Sequence, residues 1–274
     1  MTRADAGRCA FALMGSLVLV LAARPAGAEG EPANEAEAIR RGEEIVAQID
    51  AAQSALGERM MVVRMRLVEA SGQVRERRVR TLLKGESKRL IRFLAPADQR
   101  GLEVLVESPE LMYVYTPDSG RIRRLGMHFE QQGFLGSDIT TDDLTRTRMG
   151  PVYTARLLSQ RGDEATIELR PRAKGSDLSK VVAVANLRYR LFQTLDYYDD
   201  KGQRWKRRSS TNFVETGMSK RTWWPKSVMY VDFKRNHATE LLVEEFHTEL
   251  GVPDSVFSVR SLGKADWTGG GGKH

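Results

Sequence analysis

Cysteine is almost absent from this sequence, in which Cys9 is the single cysteine among 274 residues. Cys9 lies at the start of an apolar run, whereas a lipid-modified cysteine would be expected at the end of one. With Cys9 set aside, the sequence excludes a disulfide framework, a thiolate metal site and a cysteine nucleophile together. The fold must instead be held by its hydrophobic core, and a chain of this length can bury one.

Histidine and the common catalytic motifs are also scarce. The four histidines are His128, His237, His247 and His274, and no two stand three or four residues apart, so helix-borne metal ligation has no support. The sequence has no G-x-S-x-G nucleophile elbow and no phosphate-binding glycine loop. A Ser/His/Asp triad stays open because its members need not be adjacent, but nothing points to one. We therefore predict a protein that is not an enzyme, with no cofactor and no metal site.

Neither sign of charge strongly dominates the chain, whose formal net charge is +7. Residues 1–28 hold three arginines and one aspartate, so the charge falls to +5 without them. So mild an excess does not call for a nucleic-acid partner. The basic residues concentrate in RERRVR (75–80) and RWKRR (204–208). These runs indicate either a solvated sheet face or an attraction to anionic lipid head groups.

The amino terminus has the pattern of a secretory signal. Arg3 and Arg8 supply a basic start, and residues 9–23 form an apolar run that is short for a membrane span. Small residues at 26–28 provide a cleavage site. We predict a signal peptide over 1–28 and a secreted mature protein, with an uncleaved membrane anchor as the alternative.

The rest of the chain shows no internal boundary and no exact repeat. We therefore predict one domain over 29–265, followed by a glycine-rich flexible tail over 266–274. At its start, apolar residues recur at helical spacing, with Asn34 as the N-cap and Glu37 three residues on, as in a capping box. Gly57 is the predicted stop of this helix.

After Gly57 the hydrophobic period changes from helical to two, which predicts strands. Two of these strands have apolar residues that share a face: Met61, Val63 and Met65 in one, Ile91 and Phe93 in the other. A large antiparallel sheet curls because its strands twist, and a large curled sheet can enclose a ligand cavity. The predicted fold class is mainly β with helices (α+β). It is a curved antiparallel half-barrel of about ten strands, with an N-terminal helix and a central helical or irregular lid.

The stretch GFLGSDITTDDL (133–144) interrupts the alternation. Its aspartates suggest a general acid and base or a calcium loop, but the alternating oxygen ligands, central glycine and closing Glu of a calcium loop are missing. TTDDL has the pattern of a short helix capped by a Thr or Asp side chain, and the two glycines suit tight turns. We favour an architectural role for the stretch, with catalysis as the alternative.

Five motifs in the same order resemble the outer membrane lipoprotein-sorting protein family, the LolA- and LolB-like periplasmic carriers. They are RFLAPADQRGLEVLV, LMYVYTPDSGRIRRL, GFLGSDITTDDL, WWPKSVMYVDF and VPDSVFSVRSL. The resemblance implies a periplasmic half-barrel whose mouth is closed by helices, which binds acyl chains of lipoproteins or lipids and performs no chemistry. Members of this subgroup look like companions of RND-type inner-membrane exporters, so the resemblance also implies such a transporter as a partner.

The curled sheet and the resemblance together define a predicted ligand site. Its apolar cavity and rim residues are Met61, Val63, Met65, Ile91, Phe93, Phe134 and Leu135. The polar ties of its lid and rim are Arg121, Arg123, Arg124, Asp138 and Asp143. We expect the two carboxylates to bind backbone amides or the arginine cluster. The expected partners are an acylated lipoprotein or lipid cargo and a transient membrane contact.

The predicted function is that of a carrier between the inner and outer membranes, and two alternative functions remain open. The first is a sensor or adaptor of similar fold that detects envelope lipid or lipoprotein status without transporting it. The second is a hydrolase that uses Asp138 and Asp143, whose loss would then abolish turnover without unfolding the protein.

Overall fold

The computed structural model describes residues 34–108, 111–125, 133–145, 147–217 and 222–264. The predicted signal peptide (1–28) and flexible tail (266–274) lie outside this part of the chain. These residues contain the α-helices α1 (Glu35–Ser54) and α2 (Thr141–Thr145). The strands are β1 (Glu58–Val68), β2 (Val74–Lys84), β3 (Lys88–Ala95), β4 (Glu103–Ser108), β5 (Leu111–Thr116), β6 (Arg121–Leu125), β7 (Tyr153–Arg161), β8 (Glu164–Pro171), β9 (Leu178–Asn186), β10 (Leu191–Asp199), β11 (Arg204–Thr216), β12 (Thr222–Asp232) and β13 (His237–Thr248).

All the described strands form one antiparallel sheet built from two meanders. Its order is β6-β5-β4-β3-β2-β1-β13-β12-β11-β10-β9-β8-β7. The first meander, β1 to β6, joins the second, β7 to β13, where β1 pairs with β13. Strands β6 and β7 are therefore the opposite edges of the sheet. The connection between them has to pass from one edge to the other, and this puts the central motif on a face of the sheet.

Strand β1 shows how the sequence assigns the two faces of the sheet. Met61 and Met65 are buried on the side that we call the inner face, where α1 and the central motif pack. Arg64 and Arg66 alternate with them and point to the outer face. Arg66 forms ion pairs with Glu240 of β13 at 2.8 Å and with a glutamate of β2. One side of the sheet is thus apolar and the other is a charged, solvated surface.

Helix α1 covers the β7–β10 part of the inner face. The Asn34 side chain caps it by accepting a hydrogen bond from the Glu37 amide at 2.9 Å, as predicted. Ile45, Val46 and Ile49 form its buried stripe and pack on residues of these strands. The helix approaches β7 so closely that a Cβ on Gly42 would lie 2.7 Å from the Leu157 backbone nitrogen. Only glycine fits there without a shift of backbone.

A smaller apolar cluster covers the outer face of β2, β3 and β4. Leu82, Leu90 and Leu105, which point away from the inner face, contact Val252 and Phe257 of the segment after β13. This segment contains two short 3-10 helices, Asp254–Val256 and Val259–Ser261. The C-terminal part of the described chain therefore closes the second side of the first meander.

The architecture confirms the prediction of a mainly β, antiparallel and curved sheet with few helices. The predicted strand number of about ten is too low, because the sheet has 13 strands. In the described part of the central region (133–145 and 147–150), the helical segments are Phe134–Gly136, a 3-10 turn, and α2. Among the described residues, no α-helix contains an apolar stretch sufficient to span a bilayer.

Candidate functional site

The seven residues predicted for the apolar cavity come together on the inner face. Six of them are buried in one cluster that spans β1, β3 and the central motif: Met61, Val63, Met65, Ile91, Phe93 and Phe134. Leu135 is partly buried and packs against the same cluster. The structure therefore places all seven on one apolar surface.

The central motif itself occupies this surface, and we call residues 133–145 the plug. Its buried Phe134, Ile139 and Leu144 belong to the same apolar cluster as the strands beneath. The ring of Phe134 lies 6.5 Å from that of Phe93, measured between centroids. The plug therefore rests in the hollow of the sheet, where the protein's own side chains shield the apolar strands from water.

Local hydrogen bonds explain the shape of the plug. The Phe134 amide donates to the Ile139 carbonyl at 2.7 Å, and the Ser137 hydroxyl donates to the Phe134 carbonyl at 2.7 Å. Gly133 has φ +69°, and a Cβ there would lie 1.9 Å from the Ser137 carbonyl oxygen. The tight turn predicted at this glycine is therefore present, and it requires glycine.

Asp143 ties the C-terminal end of the plug to the sheet. It forms a buried ion pair with Lys206 of β11 and accepts hydrogen bonds from the Thr140 amide at 2.8 Å and hydroxyl at 2.7 Å. Burial acts to raise the pKa of Asp143, but the Lys206 ammonium and the Thr140 donors outweigh it and hold that pKa below its usual value. The ammonium also lies 5.0 Å from the ring centroid of Tyr197.

Asp138 ties the middle of the plug to the β12–β13 hairpin. Its carboxylate lies 2.6 Å from Nη2 of Arg235 and 2.7 Å from Nδ1 of His237. It also accepts a hydrogen bond from the Thr239 hydroxyl at 2.7 Å, while the Asp138 amide donates to that hydroxyl at 3.0 Å. The side chain is fully buried, so three partners compensate the removal of one charge from water.

The expected tie between these carboxylates and the arginine cluster is replaced by other partners. Arg121, Arg123 and Arg124 lie on the edge strand β6 and are exposed. Among the described residues, the ion pairs of Asp138 and Asp143 are formed with residues of β11, β13 and the β12–β13 turn instead. The alternative expectation, a backbone amide, holds for Asp143 through Thr140.

Three arginines on the inner face were missed by the sequence reasoning. Arg77 is buried and donates to the Leu135 carbonyl of the plug at 2.8 Å. Arg59 is also buried, and Arg89 has a buried Nε atom. Alternate residues of a strand lie on the same face, and these arginines stand two residues before the inner-face residues Val79 (for Arg77), Met61 (for Arg59) and Ile91 (for Arg89). The alternation of the sequence could therefore have predicted that all three arginines lie on the inner face.

The described residues provide no set of ligands for a metal ion. Within the described ranges, no group of three His, Cys, Asp or Glu side chains is arranged to hold an ion. The groups that the site presents are apolar side chains, buried cations and two carboxylates that already have partners.

Solved structures share this architecture over most of the chain. An outer membrane lipoprotein-sorting protein domain from Vibrio parahaemolyticus has a TM-score of 0.71 and 20% identity, covering 82% of this chain and 99% of that one. A DUF1329 family protein from Desulfovibrio piger has a TM-score of 0.73 with the same identity and coverage. A LolA superfamily protein from Nitrosomonas europaea has a TM-score of 0.65 and 20% identity, covering 81% and 99%. No curated protein matches the sequence.

The fold is thus LolA-like, which confirms, at the level of the fold, the resemblance carried by the five motifs. A family model with the description "Uncharacterized protein" matches residues 85–264, more than half of the sequence. The chain belongs to this family.

Proposed function

We propose that this protein is a periplasmic carrier that binds the acyl chains of lipoproteins or lipids on the inner face and moves them between the inner and outer membranes. The observation that carries the proposal is the plug. A wide apolar sheet surface is covered by a connecting segment rather than by a second layer of strands. A connecting segment can leave such a surface without breaking the pairing of any strand.

Exchange between plug and cargo is the core of the proposed mechanism. Exposing the strands beneath the plug costs about 25 cal/mol per square ångström of apolar surface. An acyl chain that takes the place of Phe134, Ile139 and Leu144 would cover the same surface. Opening the plug also separates Asp143 from Lys206 and Asp138 from Arg235, so cargo binding has to offset the loss of these pairs.

The secretory pattern of residues 1–28 supports the periplasmic location. An RND-type inner-membrane transporter as loading partner is part of the proposal on the strength of the sequence resemblance. Co-purification of this protein with an exporter, after crosslinking in the native membrane, would support that partner. Recovery of the protein alone under the same conditions would count against it.

The proposal is tested by native mass spectrometry of protein purified from its own periplasm, together with titration of a fluorescent acyl probe. We expect a bound lipid mass and saturable probe binding. A Phe134→Asp substitution in the plug should change the dissociation constant of the probe. The control Phe233→Asp, at an exposed site outside the plug, should leave that constant at the wild-type value. Recovery without lipid and no uptake of probe would overturn the carrier function.

A second candidate is a sensor or adaptor that uses the same surface without transport. The charged ties of the plug favour it, because a partner that recruits Asp138 or Asp143 would open the inner face. A stable complex with a membrane protein, formed without lipid exchange between donor and acceptor vesicles, would distinguish the sensor from the carrier.

A further inference from the structure

Two arginines lie on the inner face in one cross-strand row. Arg59 of β1 pairs in register with Leu83 of β2, and Leu83 pairs with Arg89 of β3. Neighbouring strands are about 4.8 Å apart, so the two arginine backbones are about 10 Å apart. Both side chains are long enough to bring their guanidinium groups to a common point above Leu83.

The guanidinium groups have fewer partners than buried donors require. Arg59 is only 3% exposed, and the Nε atoms of both Arg59 and Arg89 are buried without a hydrogen-bond partner. Arg59 Nη1 donates to the Gln53 carbonyl at 3.3 Å, and its guanidinium carbon lies 4.9 Å from the centroid of Trp224. Within the described ranges no carboxylate forms an ion pair with either arginine. A buried donor without a partner destabilises the folded protein, and more so when the donor is charged, so the two unpaired Nε atoms need an explanation.

The charges around Arg59 and Arg89 also leave these two arginines without a compensating anion. Asp143 attracts Arg89, but its carboxylate is already bound by Lys206. Burial lowers the pKa of Arg59 to about 10. Burial, followed by repulsion from Arg59, lowers the pKa of Arg89 to about 10. Both arginines therefore stay charged at neutral pH and leave an excess of positive charge beside an apolar surface.

We propose that Arg59 and Arg89 together bind the anionic group, a carboxylate or a phosphate, of an amphiphile whose hydrocarbon chain lies on the inner face. The inference rests on the proposed function and names the chemistry of its ligand. A guanidinium matches both groups because its N–H donors form a planar fork that can bind two oxygens at once. An anion between the arginines would pair the two orphaned Nε donors and remove the uncompensated charge. The adjacent inner-face residues, Met61 and Ile91, would contact the first carbons of the chain.

The test compares amphiphiles that differ only in their head group. Binding of dodecanoate, dodecyl phosphate and dodecanol is measured by calorimetry, and inorganic phosphate is included as an anion without a chain. The proteins are wild type, Arg59→Met, Arg89→Met and the control Arg64→Met. Arg64 lies on β1 like Arg59 but points to the outer face, where it pairs with Glu244. Thermal melting shows whether each variant is folded.

Wild type should bind one or both anionic amphiphiles at least about tenfold more tightly than dodecanol, as expected for hydrogen bonds to a charged group. Arg59→Met and Arg89→Met should each lose this preference and keep their affinity for dodecanol, while Arg64→Met keeps the preference. If a variant does not fold, the affinities of wild type for the anionic amphiphiles and for dodecanol still test the proposal.

Equal binding of all three amphiphiles to wild type would overturn the anion site and leave the carrier function intact. Stabilisation of wild type by inorganic phosphate, lost in both inner-face variants and without binding of any amphiphile, would overturn the carrier function and support the anion site alone. No binding of any of the four compounds would overturn both.

Discussion

Lys206 and Asp143 form an ion pair inside the protein that joins strand β11 to the short helix α2. The side chains are 2% and 8% exposed, so neither charge is well hydrated. Asp138 makes the equivalent connection from the middle of the plug to Arg235, His237 and Thr239. The plug is thus apolar where it faces the strands and ionic at two points of attachment. Such a segment is fixed in one position while it is closed, and it has few strong contacts to break when it opens.

Lys206→Met tests the first attachment point. Removing one member of a buried pair leaves the other charge uncompensated, which destabilises a protein by about 3–5 kcal/mol. We therefore expect a large loss in the free energy of unfolding, measured with denaturant. The double variant Lys206→Met, Asp143→Leu should recover most of it, since no buried charge remains. Lys88→Met, which breaks an exposed pair with Asp254, should cost less than about 1 kcal/mol. Similar losses at Lys206 and Lys88 would show that the buried pair has no special role.

The same pair predicts how stability depends on pH. The pKa of Asp143 is lower in the folded protein than in the unfolded chain, so its contribution is complete above the unfolded value of about 3.9 and is lost as the pH falls through the folded value. Wild type should therefore lose stability below about pH 4 more steeply than Asp143→Asn. The free energy of unfolding of both proteins is measured with denaturant between about pH 3 and pH 6, an interval that brackets the ordinary pKa values of carboxyl groups. Parallel pH curves would contradict the assignment.

The sequence predicts those parts of the fold that depend on neighbours along the chain. The Asn34 cap and the alternation of Met61, Val63 and Met65 are local patterns, and both are present in the structure. The alternation that predicts strands elsewhere is absent from β9, because Val182 and Val184 on its outer side are as apolar as the inner Ala183. Without a difference between the two sides, a period of two cannot be read from the sequence.

In the candidate site, too, the sequence predicts local patterns but not contacts between distant residues. All seven apolar residues predicted for it share one surface, since their positions follow from alternation and from the motifs. The partners of the aspartates could not be predicted, because Lys206 is 63 residues from Asp143 and Arg235 is 97 residues from Asp138. These contacts depend on the path that takes the β6–β7 connection across the sheet, and nothing local to the plug encodes that path.

Gly42→Ala tests how closely α1 packs on the sheet. Helix propensity alone predicts a gain of about 1 kcal/mol from this change. The new Cβ, however, would lie 2.7–2.8 Å from backbone atoms of Ala155 and Leu157, so we expect a loss of about 1–3 kcal/mol. The sign of the change in unfolding free energy decides between the two. Glu44→Ala, at an exposed position of the same helix, should change stability by less than about 0.5 kcal/mol.

A single cysteine at Ile139 reports directly on the movement of the plug. The reporter is built as Ile139→Cys in a Cys9→Ala background, so that no other thiol is present. Ile139 is buried, and its cysteine variant should react slowly with a thiol reagent while the plug is closed. Saturating dodecanoate should accelerate labelling several-fold, because a chain on the inner face displaces the plug.

The matched control for the labelling experiment is Ala183→Cys, at a position that is also buried and lies on β9 in the cluster beneath α1. It should stay protected with and without ligand, since plug opening leaves the helix in place. Acceleration at both positions would indicate general unfolding. Ligand binding without any change at Ile139 would mean that the plug stays seated, and that cargo does not enter beneath it.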